Sequence, residues 1–396
     1  MNLHNRDKSI LTNFEGQSTI AWLPSAKLAL ASDIEAAYET CINAVQSGNK
    51  DYLRALHFVA RENAEMIGSA DKLHRYFVKH KSWFKRGAEI NPKKIRPRLK
   101  LIESAEDEQL WWLAKTCWSM PYNKGYGRRL RFLVIDEEHQ GLIGIIGLQS
   151  PPADLKCRDD LFAYPMNSKL KLVNQTMDAF TIGALPPYSF LLGGKLCAGL
   201  LASDEIRTAY WRKYAAKKTL MQNTLIEQPL VGITTTSAFG RSSIYNRLKV
   251  GPRFLAESIG YTKGYGLLHL EHLYPKISQL LESNGILTPN GYGNGPKVRW
   301  QNVTKALILL GLSPEFLHHG VQREVFLYNL VEDLEGGMAG GSFGRPLQLQ
   351  TEEFSNFWRE RWALPRADRF PTWKTIDANK LIEEKVAVWT SIASRI

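Results

Sequence analysis

"TMDAFTIGALPPYSFLLGGKLCAGLLASDEI", residues 176–206, decides how the fold is read. An alternating apolar segment has the two-residue period of a strand, and Pro186-Pro187 ends it, because proline cannot donate to a sheet ladder. Gly193, Gly194 and Lys195 then open an apolar run with helical spacing. The first N–H groups of a helix lack internal partners and carry partial positive charge, so a strand, glycine turn and helix can cradle a phosphate. Lys195 adds a cation. The motif G-x-x-x-x-G-K-[ST] is absent and Leu196 stands where its hydroxyl belongs, which excludes a P-loop nucleoside triphosphatase.

Outward from this stretch the pattern is mixed. "SAEDEQLWWLAKTCW" (104–118) predicts a helix with acidic residues in its first turn, where they favour the helix dipole. "RRLRFLVIDEEHQGLIGIIGL" (128–148) predicts a hairpin turning at Glu137 to Gly141. "PLVGITTTSAF" (229–239) and "GYGLLHLEHL" (264–273) read as further strands, and "SSIYNRL" (242–248) as a short helix. Before residue 100 the chain reads as helices ("DIEAAYETCINAVQSG", "DYLRALHFVARENAEMIG"). They lead to an extended connector, "NPKKIRPRL", whose prolines Pro92 and Pro97 restrict the residues before them. After residue 275 helices return ("YPKISQLLESNGI", "RWQNVTKALILLGL", "SPEFLHHGVQREVFLYNLVEDL"), with "GGMAGGSFG" (336–344) as a hinge or close-approach loop. "KGYG" occurs at 124–127 and 263–266, each time ahead of an expected strand. The plan is an α+β protein: a basic helical region at 1–100, a mixed-sheet α/β core at 101–275, and a mainly helical region at 276–396.

The chain has 396 residues and a formal charge of +12, placed unevenly. "DKLHRYFVKHKSWFKRGAEINPKKIRPRLK" (71–100) carries eleven cations between Lys72 and Lys100 against Glu89 alone. Tyr76, Phe77, Trp83 and Phe84 are interleaved with Lys79, Lys81, Lys85, Arg86, Lys93 and Lys94. Cations beside aromatics suit a surface that tracks phosphates and stacks bases; a solvated helix face with aromatics packed inward gives the same pattern. Lys124, Arg128, Arg129 and Arg131 surround the first Gly-Tyr-Gly and extend the expected nucleic-acid contact. Arg241 and Arg247 do the same beside the hydroxyls of Thr234 to Ser237 and Tyr245. With Gly193, Gly194 and Lys195 these are the expected DNA- and phosphate-binding residues.

Signals for catalysis are thin. Asp136, Asp178 and Glu257 stand at or within expected strands, and Asp178 is the least comfortable, a carboxylate inside an apolar run. Tyr126 and Tyr245 are conceivable nucleophiles for strand transfer. On a strand His269 and His272 face opposite ways, and Cys41, Cys117, Cys157 and Cys197 are scattered, so no metal or other cofactor is expected. No apolar run reaches the roughly 20 residues of a membrane helix and the first residues lack a signal-peptide core, so a cytoplasmic protein is expected.

The order of elements around Gly193 resembles the GNAT acyltransferase fold, in which such a turn holds the pyrophosphate of acyl-coenzyme A. The adjacent glycines, with no arginine or glutamine leading them, depart from that family's [RQ]-x-x-G-x-[GA] signature. Word-level runs are more specific. "WSMPYNKGYGRRLRFLV", "LIGIIGLQSP", "TTTSAFGRSSIYNRL" and "GPKVRWQNVTKALILLGL", with Tyr245-Asn246-Arg247 and Trp358-Arg359-Glu360-Arg361-Trp362, resemble the DruA family of Druantia anti-phage defence proteins. That resemblance implies work beside other Druantia proteins, including a large helicase, and hands over no catalytic residue. The expected function is DNA binding in defence. The alternatives are a DNA-processing nuclease or strand transferase, and a coenzyme-A-dependent acyltransferase.

Overall fold

The structure, a computed structural model, describes residues 10–12, 18–20, 23–62, 70–118, 125–219, 223–238, 240, 242–289 and 296–393. Compactness divides the chain into two units that cut across the linear regions 1–100, 101–275 and 276–396. The smaller unit joins residues up to 64 with 263–322; the larger joins 65–118 and 122–262 with 323–396.

The larger unit is built on a seven-stranded sheet. Its strands are β1 (Pro97–Leu101), β2 (Leu130–Asp136), β3 (Gly141–Gln149), β4 (Thr176–Ala184), β5 (Gly232–Thr236), β6 (Glu257–Tyr261) and β7 (Glu324–Asn329), in the spatial order β6-β7-β5-β4-β3-β2-β1. All pairings are antiparallel except β4 with β5, which run parallel over Thr176–Ala179 and Gly232–Thr235. The mixed α/β class read from the sequence holds, and so do the hairpin and the strand of the opening stretch.

Because strand side chains alternate, the sheet has two distinct faces. Leu130, Phe132, Ile146, Leu148, Met177, Ala179, Ile233, Phe326 and Tyr328 share one face, buried in the larger core. They pack under α5 (Gly193–Gly199), α6 (Asp204–Tyr214) and α9 (Thr351–Trp358), through Leu196, Tyr210, Phe354 and Trp358. The expected single helix after Gly193 is two, broken at Leu200–Ala202. On the other face Leu133, Ile135, Leu142 and Ile145 lie beneath α3 (Ala70–His80), α4 (Ala105–Lys115) and α10 (Ala378–Ala393). Leu327, on the same face at the β7 end, is covered by Phe162, Tyr164, Leu172 and by Leu334, Met338 and Phe343.

In the smaller unit α1 (Pro24–Gln46) and α2 (Lys50–Glu62) join α7 (Tyr274–Ser283) and α8 (Pro296–Leu309). Its core includes Leu30, Ile34, Leu273, Ile277, Leu280 and Leu307. Three expectations need correction. Residues 268–273 form a 3-10 helix and not a strand, because Leu270 and Leu273 bury on one side at helical spacing. The second KGYG therefore precedes no strand. Residues 324–329, read as helix, form β7: Val325, Phe326 and Tyr328 are bulky strand formers buried between β5 and β6. Residues 243–247, also read as helix, are turns, with Arg247 at φ 55°.

Gly199, at the end of α5, is where helix and core approach most closely. A Cβ there would meet the buried Phe354 ring at 1.9 Å. Gly199→Ala should destabilise the chain by about 1–3 kcal/mol through overpacking, read as a lower urea midpoint with an unchanged slope.

Candidate nucleic-acid interface

Antiparallel pairing places the expected cations at two ends of the sheet. Leu130 pairs with Leu148 and Asp136 with Gly141, so Arg129 and the β2–β3 turn lie at opposite ends, roughly 20 Å apart by strand rise. At the turn end Asp136 is saturated. It accepts from Arg96 N (3.0 Å), Glu138 N (3.2 Å), Tyr188 Oη (3.0 Å) and the His139 ring (2.6 Å). Asn91 N, bonded to His139 Nε2 at 3.1 Å, brings Lys93 and Lys94 to the same end, both exposed. Lys85 is there as well, its stem against the Gly141 Cα, with Arg86 exposed and paired to Asp377 at 3.3 Å.

Gly193 and Gly194 belong to this end too, since Gly193 packs on Ala184, the partner of Gly144. A Cβ on Gly193 would lie 2.7 Å from the Tyr188 carbonyl, and one on Gly194 3.0 Å from Ile244. The glycines let helix, strand and turn close on each other. Lys195 Nζ donates to the carbonyls of Ser243 (2.9 Å) and Asn246 (2.6 Å) and lies 5.2 Å from the Trp362 ring centre. Burial lowers its pKa to about 8. Lys195 thus fixes the 243–246 turn from within.

The opposite end carries a second cluster. Arg128 is held inward by Tyr210 Oη (2.6 Å) and the Thr176 carbonyl (3.3 Å). Arg131 pairs with Glu108 and lies over Trp111. Arg129 is exposed, and its carbonyl takes Lys213 Nζ at 3.0 Å. Partial burial first, then the charges of Arg131, Lys217 and Arg129, hold the Lys213 ammonium below its ordinary value. Like charges are therefore crowded here. Trp211, Arg212, Lys217 and Lys218 are exposed beside them.

Between the two ends runs the edge strand β1. Arg96, Arg98 and Lys100 alternate along it, so they point the same way. Arg96 and Arg98 share Glu137 (3.3 and 2.6 Å), and Lys100 reaches Asp107 at 2.6 Å. Their side chains stay 64%, 53% and 42% exposed. The Arg96 and Arg98 pairs to the partly exposed Glu137 contribute about 0–1 kcal/mol each, so phosphates can displace that carboxylate at small cost, whereas Asp107 is buried and holds Lys100 more firmly. Lys79 is exposed and paired to Glu106 (2.8 Å), and Lys81 is exposed without an ion pair among the described residues. The aromatics of this stretch pack inward: Phe77 and Phe84 are buried and stacked, with Tyr76 and Trp83 against the same core.

Residues 47–340 match the family model of Druantia protein DruA. The chain belongs to the DruA family. It is also 36% identical over 342 residues to the Druantia protein DruA of Escherichia coli (strain UMEA 4076-1), covering 84% of each chain. No solved structure matches this DruA-family chain.

Of the other expected residues, Lys124 and Arg241 lie outside the described residues, and Arg247 is exposed in its turn. Tyr245 is buried against Phe326, and burial pushes its pKa up to about 12, so it is a core residue and no accessible nucleophile. Glu257 is exposed on the outer edge strand. His269 bonds the Phe316 carbonyl (2.8 Å) in the core of the smaller unit. Among the described residues no group of three or more His, Cys, Asp or Glu could hold a metal ion. Sequence reasoning placed Arg96, Arg98 and Lys100 in the basic segment but read that stretch as a connector and not as an edge strand, and it missed Lys213, Lys217 and Lys218. "RPRLK", with cations at every second position, and "WRKYAAKK" were the available signals.

Asp178 lies at the Arg129 end of the sheet, two strands in from β2. It accepts from Gln149 Nε2 (3.0 Å) and Thr234 Oγ1 (2.8 Å), in one register row across β3, β4 and β5. Crowding raises its pKa despite those bonds and the charges of Arg158 and Arg323. A carboxyl easier to protonate folded than unfolded stabilises the fold at low pH, and that stability is lost as pH rises through the raised folded value. Asp178→Asn should therefore raise Tm at pH 8 by roughly 2–4 °C, with a gain that shrinks towards pH 4 in calorimetry. An equal shift at both pH values would contradict this.

Proposed function

We propose that this chain holds nucleic acid on the basic band of its sheet unit, as a Druantia component working beside a helicase. Family membership makes it a component of a Druantia anti-phage defence system. The nucleic-acid role rests on one observation. The exposed row Arg96, Arg98 and Lys100 joins Lys93 and Lys94 at one end of the sheet to Arg129 and Lys213 at the other. A band of roughly 20 Å is long enough to face several phosphates of a nucleic-acid backbone. The Arg96 and Arg98 pairs are weak and the second cluster is self-repelling, so polyanion binding there relieves repulsion and gives up little. Among the described residues no helix is long and apolar enough to cross a membrane.

DNA cleavage has less support in the geometry. Asp136 is saturated inside the hairpin end, and Asp178 lies on another strand without a second carboxylate beside it. Coenzyme-A binding at Gly193 would have to compete with packed neighbours and with the carbonyls that occupy Lys195.

Fluorescence anisotropy with labelled single- and double-stranded DNA across a potassium chloride series tests the band. If about five cations meet phosphates, the log–log slope should be about −4. The triple variants Lys93/Lys94/Arg98→Ala and Arg129/Lys213/Lys217→Ala should each flatten the slope by about 2–3. A flat salt response in the unmodified chain, or variants that bind as it does, would refute the band.

A further inference from the structure

The middle of the second sheet face holds a polar crevice that the basic band does not use. Its floor is the row Gln149, Asp178 and Thr234. Gly125 and Gly127, at φ 70° and 60°, carry Tyr126 across its mouth. The Tyr126 carbonyl accepts from Ser150 N at 3.1 Å, just beyond Gln149, and the Gly125 backbone packs on the Phe180 ring. Tyr126 is 47% exposed, and Asp178, Phe180 and Arg323 are partly exposed, so solvent reaches the site.

The hydrogen-bond inventory is lopsided. Gln149 is only 6% exposed and its Oε1 has no partner among the described residues, although its Nε2 serves Asp178. Each Asp178 oxygen accepts one internal bond, so each keeps a lone pair. The row thus holds several unused acceptors side by side, Asp178 partly open to solvent and Gln149 Oε1 closed off from it. Arg158 contributes charge only, since its guanidinium is occupied by Pro152 O, Ala153 O and Asp159. The Arg323 guanidinium makes no hydrogen bond among the described residues, and its charge acts on Asp178. Phe180 and Tyr126 supply aromatic surface. A partly buried acceptor is costly to leave unmade and asks for a donor.

We infer that this crevice receives a single guanine base, a reading that deepens the proposed grip on nucleic acid. Two adjacent N–H donors beside a carbonyl acceptor occur on the Watson–Crick edge of guanine; adenine and cytosine offer one amino donor beside an acceptor. The guanine N1–H and N2–H would meet the two Asp178 oxygens, which Gln149 and Thr234 hold in place. O6 or N7 would meet Arg323 or the Tyr126 hydroxyl, and an aromatic ring would take the base face. Arg129, three residues after Tyr126, would hold the phosphate of a strand whose base is turned in. The same chemistry is offered by a free guanine nucleotide.

Isothermal titration with 5′-GMP, 5′-AMP, 5′-CMP and 5′-UMP, and anisotropy with thymidine oligonucleotides carrying one guanine or one adenine, test this. A preference for guanine of about tenfold or more is expected. Asp178→Asn, which places an N–H against the base donors, should abolish the preference while the variant still unfolds cooperatively. Gln149→Leu, which removes the amide that holds Asp178 in place, should weaken it. Salt-dependent strand binding with no guanine preference in either assay overturns the crevice and leaves the band standing. GMP binding without strand binding supports the crevice as a free-nucleotide pocket and refutes the band. Guanine preference retained in Asp178→Asn also overturns the assignment.

Discussion

The larger unit depends on the parallel seam where β4 meets β5. The antiparallel run β1 to β4 and the group β5, β6 and β7 are joined over Thr176–Ala179 and Gly232–Thr235. Parallel pairing is slightly weaker per residue than antiparallel pairing, and this seam is short. Side chains reinforce it from both faces. Thr234 Oγ1 donates to Asp178 on one face, and Thr235 Oγ1 donates to the Ala179 carbonyl at 2.9 Å on the other. Thr234 and Thr235 therefore contribute more than strand propensity, because their hydroxyls stitch two half-sheets together.

That stitch carries a cost that a merely structural role would avoid. A threonine, serine or asparagine could accept from Thr234 without placing a carboxylate in a crowded crevice, where burial opposes its charge. Arg323, at the entry to β7, and Arg158, on a short helix, bring their charges toward it from two other segments. Arg158 is itself paired to Asp159, so Arg323 is the uncompensated charge near this partly exposed aspartate. Burial also raises the Tyr126 pKa to about 12, with Asp178 adding to it, so that hydroxyl stays protonated beside the carboxylate.

How far the sequence revealed this follows from which forces act locally. The β2–β3 hairpin was legible because its apolar runs are long and its turn polar. β7 was not, because "EVFLYN" sits between segments with helical spacing and becomes a strand only when β5 and β6 flank it. Asp178 could be seen as uncomfortable from its neighbours alone. Arg323, far along the chain, gave no local sign of belonging with it. The glycine pair at Gly193 shows a different ambiguity: removing a Cβ admits a phosphate or a neighbouring carbonyl equally well, and here Tyr188 supplies the carbonyl. The same holds for Lys195, whose donors find backbone oxygens inside the fold.

The edge strand shows why a solubility device and a binding surface need not compete as explanations. β1 ends the sheet, and its unpaired edge would invite another strand, which charged side chains discourage. Any cations would serve that end. Only a regular alternation with small, exchangeable partners also leaves a row of charges in register with the strand rise, near 6.6 Å between like-facing residues by roughly twice 3.3 Å. Phosphates of one duplex strand rise about 3.4 Å each along the axis while winding around it, so the row follows the short arc of backbone that faces it. Arg96 and Arg98 share Glu137, so the row keeps a positive excess even when all of its ion pairs are formed. Lys93, Lys94, Arg129 and Lys213 extend that excess past both ends of the strand, which turns an edge-protecting feature into a surface long enough to hold a polyanion.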